Sequence, residues 1–263
     1  MIRTIRSPLI SVRLDFLTAF PGEHVGYRRE ADPIWLLANH SATLQVFAWN
    51  SQLHIGSAHA YPHVKLCHAR VGTQPLLRPY IASFPSLSTF KFVAPTLPKR
   101  AIFELTAIDE LWKNTEENAT LWDQYRDMNQ RDQLLHGTWA GLDTLITNSL
   151  VAYTLGLNCH VRRLHLLVHG DVRPSKTIST IRTVLRDTRP SCLRLSFFHP
   201  DIPTVLRYLM KRLGYEFQSI SALELHLNVV NSLFDMPLFL VSLELSTSSV
   251  RTCHANDPTP RMT

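Results

Sequence analysis

The stretch that decides the fold is Ile220-Ser-Ala-Leu-Glu-Leu-His-Leu227, in which apolar residues alternate with polar ones. The pattern recurs in Val161-Arg-Arg-Leu-His-Leu166 and in Leu240-Val-Ser-Leu-Glu-Leu245. An alternation of period two predicts a β-strand with one face in a core and the other face in water. The form apolar-x-x-apolar-x-apolar therefore predicts a series of short, half-buried strands.

Further copies of this strand pattern occur along most of the chain. They are Leu193/Leu195, Leu87/Phe90/Phe92 and the looser pairs Leu14/Phe16, Leu44/Val46, Val64/Leu66 and Leu142/Leu145. Most successive copies are about 20 to 30 residues apart, close to the period of leucine-rich repeats, and one longer interval equals about two such units. The spacing predicts a repeat architecture.

Amphipathic helices are predicted between several of these strands. Thr177 to Asp187 places four apolar residues on one helical face, and a longer apolar stripe runs from Asp201 to Gly214. Pro33 to His40 is a shorter candidate. Strands that alternate with helices must run parallel, because each helix carries the chain back to the same end of the sheet.

The fold class predicted from this alternation is an α/β, leucine-rich-repeat-like solenoid. Its short parallel strands would line the concave face of a horseshoe and its helices the convex face. A doubly wound α/β domain is the alternative, although its strands are usually longer and almost wholly apolar. The predicted regions are 1–98 (irregular repeats), 99–138 (an acidic helical insertion), 139–246 (leucine-rich-type repeats) and 247–263 (a disordered polar tail).

Composition favours a folded protein that works inside the cell, in the cytoplasm or the nucleus. The chain carries a net charge of +6, and 45% of its residues are hydrophobic. Its four cysteines are widely spaced, which predicts reduced thiols and no disulfide framework. No apolar run reaches the length of a membrane span. Arg3, Arg6 and Arg13 leave a mitochondrial presequence as an alternative to an N-terminal strand.

Motifs for catalysis, cofactors and metals are missing from the sequence. It contains no phosphate-binding glycine loop, no nucleophile elbow and no HExxH, so we predict no enzyme activity, no cofactor and no metal. Three Cys-His dipeptides would have to converge from distant repeats to hold zinc. Basic pairs at Arg182/Arg186 and Arg207/Lys211 could form a stripe for nucleic acid, but a solvated helix face is the favoured explanation, and we predict no nucleic-acid partner.

A protein-binding strip follows from strand parity. If Leu164 and Leu166 face the core, His165 faces the concave side, and the same parity can be applied to each copy. The predicted strip is Asp15, Gln45, Phe47, Lys65, Lys91, His165, Arg194, Glu224, His226 and Glu244. Its mixed charge and its aromatic Phe47, with Trp49 nearby, are typical of a protein epitope.

Phrases such as Phe84-Pro-Ser-Leu-Ser-Thr-Phe-Lys-Phe92 and Ile220-Ser-Ala-Leu-Glu-Leu-His-Leu227 resemble the leucine-rich-repeat portion of fungal F-box proteins. The resemblance covers roughly Ile10 to Ser246. It implies a repeat domain that recognises substrates for a cullin–RING ubiquitin ligase and that is linked to a Skp-type adaptor. No F-box helix precedes the first repeat, so an enzyme on a compact α/β domain and a truncated F-box-like protein without ligase function stay open as alternatives.

Overall fold

Strands and helices alternate along the computed structural model of the chain. The model describes residues 7–14, 33–49, 59–70, 75–93, 116–169, 174–198, 209, 212–213, 217, 219–227 and 250–252. The strands are β1 (Ser11–Leu14), β2 (Val46–Trp49), β3 (Leu66–Arg70), β4 (Thr89–Val93), β5 (Leu142–Asn148), β6 (Val161–His169), β7 (Cys192–Phe198), β8 (Ala222–Leu227) and β9 (Val250–Thr252). The helices are α1 (Pro33–Leu36), a 3-10 turn (Ala38–His40), α2 (Arg78–Ser83), α3 (Glu116–His136), α4 (Ser149–Leu155) and α5 (Pro174–Thr188).

All strands in the described residues belong to one parallel sheet whose spatial order follows the sequence. Strands β1 to β8 lie side by side in chain order, and the short β9 pairs with β8 at one edge. Since β1 and β9 lie at opposite edges, the sheet is not closed into a barrel. Residues of α2, α4 and α5 are buried in the same core as strand residues of one face, so these helices pack against that face of the sheet. The protein is therefore an α/β protein with an open parallel sheet.

The core lies on the face covered by these helices, and its strand side consists of two rows of residues in register. One row is Phe47, Cys67, Phe90, Leu145, Leu164, Leu193 and Leu223, and the next is Trp49, Ala69, Phe92, Thr147, Leu166, Leu195 and Leu225. Every one of these side chains is buried. Each predicted strand that falls within the described residues is present, including the loose Leu142/Leu145 copy. The Leu240–Leu245 copy lies outside the described residues.

The helices also follow the predictions where the chain is described. Helix α5 buries Ile178, Ile181 and Val184 and exposes Arg186, as its amphipathic pattern indicates. The candidate at Pro33 to His40 forms α1 and the 3-10 turn. The candidate that begins at Asp201 is described only at a few positions, of which Leu209 and Leu213 are buried.

The acidic segment contains a long helix that packs into the helix layer. Helix α3 contacts α4 and α2, and it buries Trp122, Arg126, Asn129 and Gln133 although most of its surface is polar. The prediction of helix in 99–138 is thus correct for Glu116–His136, and residues 99–115 lie outside the described part. The prediction of an insertion missed the packed face of the helix, because that face consists of polar side chains that have hydrogen-bond partners elsewhere in the fold.

Buried amides on α3 hold the end of α4 in place. Asn129 Nδ2 donates to the carbonyls of Thr154 and Pro75 at 2.9 and 2.8 Å, and its Oδ1 accepts from the backbone N–H of Leu77 at 2.9 Å. Gln133 Nε2 donates to the carbonyl of Gly156 at 3.0 Å. The last carbonyls of a helix have no partner within the helix, and these amides satisfy them. Three neighbouring helices are thereby joined by hydrogen bonds.

One correction concerns the predicted disordered tail. Within 247–263, the residues Val250–Thr252 form β9 and pair with Leu223–Leu225 of β8. An edge strand leaves a row of backbone N–H and C=O groups unpaired, and a few added residues can satisfy them regardless of their own polarity. Composition alone does not show this pairing.

Candidate protein-binding face

The face of the sheet opposite to the core carries the residues of the other strand parity. We call it the open face. One row is Val46, Leu66, Thr89, Thr144, Arg163, Cys192 and Ala222, the next is Ala48, His68, Lys91, Ile146, His165, Arg194 and Glu224, and Ser196 and His226 belong to the row after that. All except the buried Ser196 are partly or fully exposed. Because the register is unbroken, these side chains form continuous lines across the sheet.

Half of the predicted strip lies on this face. Lys91, His165, Arg194 and Glu224 occupy one register row, and His226 lies two residues beyond Glu224 on the same strand. The predicted parity is therefore correct for β4 and for β6 to β8. Asp15 and Glu244 lie outside the described residues.

The prediction is wrong for Phe47, and for Trp49 beside it. Both side chains point into the core, with exposed fractions of 0% and 2%. The pairs Leu44/Val46 and Val64/Leu66 suggested the opposite parity, but Leu44 and Val64 are buried just ahead of their strands, where strand alternation does not yet apply.

Gln45 and Lys65 are exposed, as predicted, but they precede β2 and β3 and do not belong to the open-face rows. Each lies two residues before a core position, so it has the parity of the core face. Lys65 Nζ donates to the carbonyl of Ser86 at 3.3 Å in the neighbouring loop. Both residues are therefore at the edge where the strands begin.

Arg194, His226 and Glu224 form a connected polar group. An Arg194 N–H donates to His226 Nδ1 at 2.9 Å, and His226 Nε2 lies 2.8 Å from Glu224 Oε1. A guanidinium can only donate, so Nδ1 accepts and the Nε2–H donates to the carboxylate. Arg194 Nε also lies 3.8 Å from Glu224 Oε2. The imidazole thus bridges the two charged groups and orients both of them.

His165 lies beside this group in a positive environment. Its Nε2 is 2.9 Å from Ser196 Oγ. The pKa of His165 is lowered to about 4, first by partial burial and then by the electrostatic influence of Arg194, His226 and Lys91, against an opposing contribution from Glu224. The imidazole is therefore neutral at pH 7 and acts as a hydrogen-bonding group.

A cavity of about 310 Å³ opens on the same face between β5 and β8. Its charged lining residues are Arg163, Arg194 and Glu224, and Ile146, Cys192 and Ala222 supply apolar surface. The volume is at the lower end of the range of about 300–1,000 Å³ that is typical of ligand sites. Register alone brings these residues together, because they come from four separate strands.

The strand-start edge of this cavity carries an ion-pair cluster. Arg163 donates to Asp143 Oδ2 at 2.6 Å, and Arg162 pairs with the other carboxylate oxygen. The hydrogen bond from Arg163 has the largest effect and lowers the pKa of Asp143; desolvation opposes it, and hydrogen bonds from Arg162 and Thr144 lower the pKa as well. The carboxylate holds the side chain of Arg163 at the cavity wall.

The contact between Ser196 and His165 has the form of a nucleophile and a base, but its electrostatics do not suit that chemistry. A general base works best when its pKa is near the working pH. The cations around His165 penalise the imidazolium that would form on taking a proton from Ser196. Among the described residues, no group of three His, Cys, Asp or Glu is arranged to hold a metal ion.

The sequence reasoning missed several residues of this site, and three of them were missed for the same reason. Arg163, Cys192 and Ser196 share the open-face parity, but they lie outside the apolar-x-apolar pairs that defined each predicted strand. Extending the predicted pairs Leu164/Leu166 and Leu193/Leu195 by two residues at each end would have included them. The missing information was strand length, which short apolar pairs do not specify.

Comparisons of this chain with models of known protein families, with curated proteins and with solved structures find no match. In the portion of the chain that the structure describes, we find no helix whose length and apolar character would let it cross a membrane.

Proposed function

We propose that this chain is a leucine-rich-type solenoid that recognises another protein through its open face. The strand order supports the repeat architecture: each strand is added beside the previous one from β1 to β9. A doubly wound sheet reverses its order at a switch point and places ligands there. An array that grows in one direction instead exposes one long sheet face, which repeat proteins use as a binding surface.

The observation that carries the proposal is the composition of the open face in its C-terminal half. Arg194, Glu224 and His226 are fixed by hydrogen bonds to one another, and Lys91 extends the same line of charge. Polar groups that are held in place before binding lose less conformational entropy when a partner docks. Arginine is also among the residues that most often dominate the energy of protein interfaces.

The resemblance to F-box repeats extends this proposal to substrate recognition for a ubiquitin ligase. Free thiols at Cys67, Cys159 and Cys192 agree with a reducing, intracellular setting for such a role. A Skp-type adaptor among the captured partners would link the chain to a ligase, whereas capture of other proteins alone would support binding without ligase function.

The experiment is affinity capture with mass spectrometry on the wild-type chain and on a charge-swapped variant, Arg194→Glu with Glu224→Arg. The swap keeps one acid beside one base, so the local pairing survives, but a partner meets the charges in reversed order. We expect the partners of the wild type to be lost from the variant.

The matched control is Asp127→Arg with Arg131→Asp on α3. Both residues are exposed on the helix layer and are one helical turn apart, so the net charge again does not change. This control should keep every partner. Equal partner lists for all three proteins would contradict the assignment of the open face, and so would loss from the control alone.

A further inference from the structure

We infer that the open-face cavity between β5 and β8 is a carboxylate-recognition site, which takes an acidic side chain of the protein partner. The inference rests on the proposed protein-binding function and specifies the chemistry of the partner. It starts from the two guanidinium groups in the cavity wall, Arg163 and Arg194, which come from neighbouring strands.

These guanidinium groups keep donors that are not used within the described residues. Arg194 directs one N–H to His226, and its buried Nε faces Glu224 Oε2 at 3.8 Å, so the donors open to a ligand are the remaining N–H groups of the guanidinium. The hydrogen bond from Arg163 to Asp143 uses one nitrogen of the guanidinium. A carboxylate accepts paired hydrogen bonds from a guanidinium in a geometry that neutral acceptors do not match. The unused donors therefore favour an acidic ligand.

The potential in the cavity has the sign that an acid requires. Among the residues that line the cavity, the guanidinium groups of Arg163 and Arg194 outnumber the single carboxylate of Glu224, and Lys91 lies on the same register row as His165. Neutral His165 adds no competing charge and can hydrogen-bond to a bound group. Electrostatic complementarity of this kind mainly sets which partner binds and how fast it arrives.

The apolar part of the wall indicates what accompanies the acid. Ile146 and Ala222 are partly or fully exposed on either side of the arginines. A hydrophobic side chain next to the acid in an extended segment would cover them. The expected ligand is thus a short acidic and apolar peptide segment, and a purely basic or purely polar segment should not bind.

The test is selection of a random 12-residue peptide library, displayed on phage, against the full chain. We expect the selected peptides to be enriched in Asp and Glu, and a synthetic copy of one should bind less tightly as salt is raised. In Arg194→Gln the Kd of that peptide should rise about tenfold, because one charge-assisted interaction is lost. Arg163→Gln should act in the same direction, and Arg194→Lys should retain part of the affinity.

The control variant is Arg131→Gln on the exposed surface of α3, which should bind like the wild type. Circular dichroism shows whether each variant is folded. If Arg194→Gln does not fold, Arg163→Gln still tests the site. The carboxylate site is overturned if the selected peptides are not enriched in Asp and Glu, or if no peptide is selected, even when affinity capture finds partners. Acidic peptides combined with an empty capture would instead overturn the protein-binding proposal.

Discussion

The N-terminal strands β2 to β4 and the C-terminal strands β5 to β8 use the same register rows with different residues. In the N-terminal half the core is aromatic: Phe90 lies 5.1 Å from Phe92, 5.3 Å from Tyr80 and 5.3 Å from Trp139, measured between ring centroids. In the C-terminal half the same two rows are almost wholly leucine. Rings bury more area per side chain, so fewer residues build the core of the first half.

The open face differs between the two halves as well. Val46, Ala48 and Leu66 make it largely apolar in β2 and β3, and Leu66 is 37% exposed. In β6 to β8 the corresponding positions include Arg163, Arg194 and Glu224. The difference teaches that one backbone arrangement can serve two purposes: the first half presents little specific polar chemistry, and the second half presents an ordered set of charges.

The largest effect should come from the aromatic core. Phe90→Ala should lower the free energy of unfolding by about 3–5 kcal/mol, because a large buried ring leaves a cavity among three other rings. Leu195→Ala at an equally buried position of the other half should cost about 2–4 kcal/mol. Urea unfolding measures both. A larger loss for Leu195→Ala would contradict the view that the aromatic half carries more stability per residue.

The helix layer of the C-terminal half depends on a buried amide. Asn129→Ala should cost about 3 kcal/mol, because it removes three hydrogen bonds and leaves buried groups of Leu77, Pro75 and Thr154 without partners. Gln124→Ala, at an exposed position of the same helix, should change stability by less than about 0.5 kcal/mol. Thermal unfolding of the two variants gives the comparison, and similar melting temperatures would refute the role of Asn129.

The parity of the N-terminal half can be tested on two adjacent residues. Cys67 is fully buried, and burial raises the pKa of its thiol, whereas Leu66 lies on the open face. Cys67→Ser should cost about 1–3 kcal/mol, because the hydroxyl enters an apolar environment. Leu66→Ser should cost less than about 1 kcal/mol, because the side chain is already partly in water. The reverse order in urea unfolding would restore the parity predicted from the Val64/Leu66 pair.

The smallest effect should be the pH dependence contributed by His165 in the charged half. Its pKa is about 4 in the folded protein, below the ordinary value of 6.5, so the unfolded chain binds more protons between these values. Stability due to this group is therefore complete above pH 6.5 and falls as the pH is lowered toward 4. Because the residue is partly exposed, we expect a discounted effect of about 1 kcal/mol between pH 7 and pH 5.

Unfolding of the wild type and of His165→Gln at both pH values isolates this contribution. The variant should lose less stability than the wild type on acidification. An identical loss in both proteins would show that neither burial nor the nearby cations disfavour the protonated form of His165.

The sequence by itself determined the approximate position of most strands and their parallel direction. Each strand copy of β6 to β8 places leucines at every second position with charged or polar residues between them, so periodicity and parity agree. In β2 and β3 both faces carry apolar residues, and the alternation cannot tell which face is the core. That is why Phe47 was assigned to the wrong side.

Only the tertiary structure decided the site and the role of the acidic helix. The cavity joins Arg163, Arg194 and Glu224 from three strands, and their alignment depends on a register that no local pattern contains. The polar residues Asn129 and Gln133 look solvated in a sequence, yet they are buried because the carbonyls at the end of α4 need donors. The local alternation of apolar and polar residues indicates which side chains are buried, whereas the long-range pairing of strands determines which polar groups come into contact.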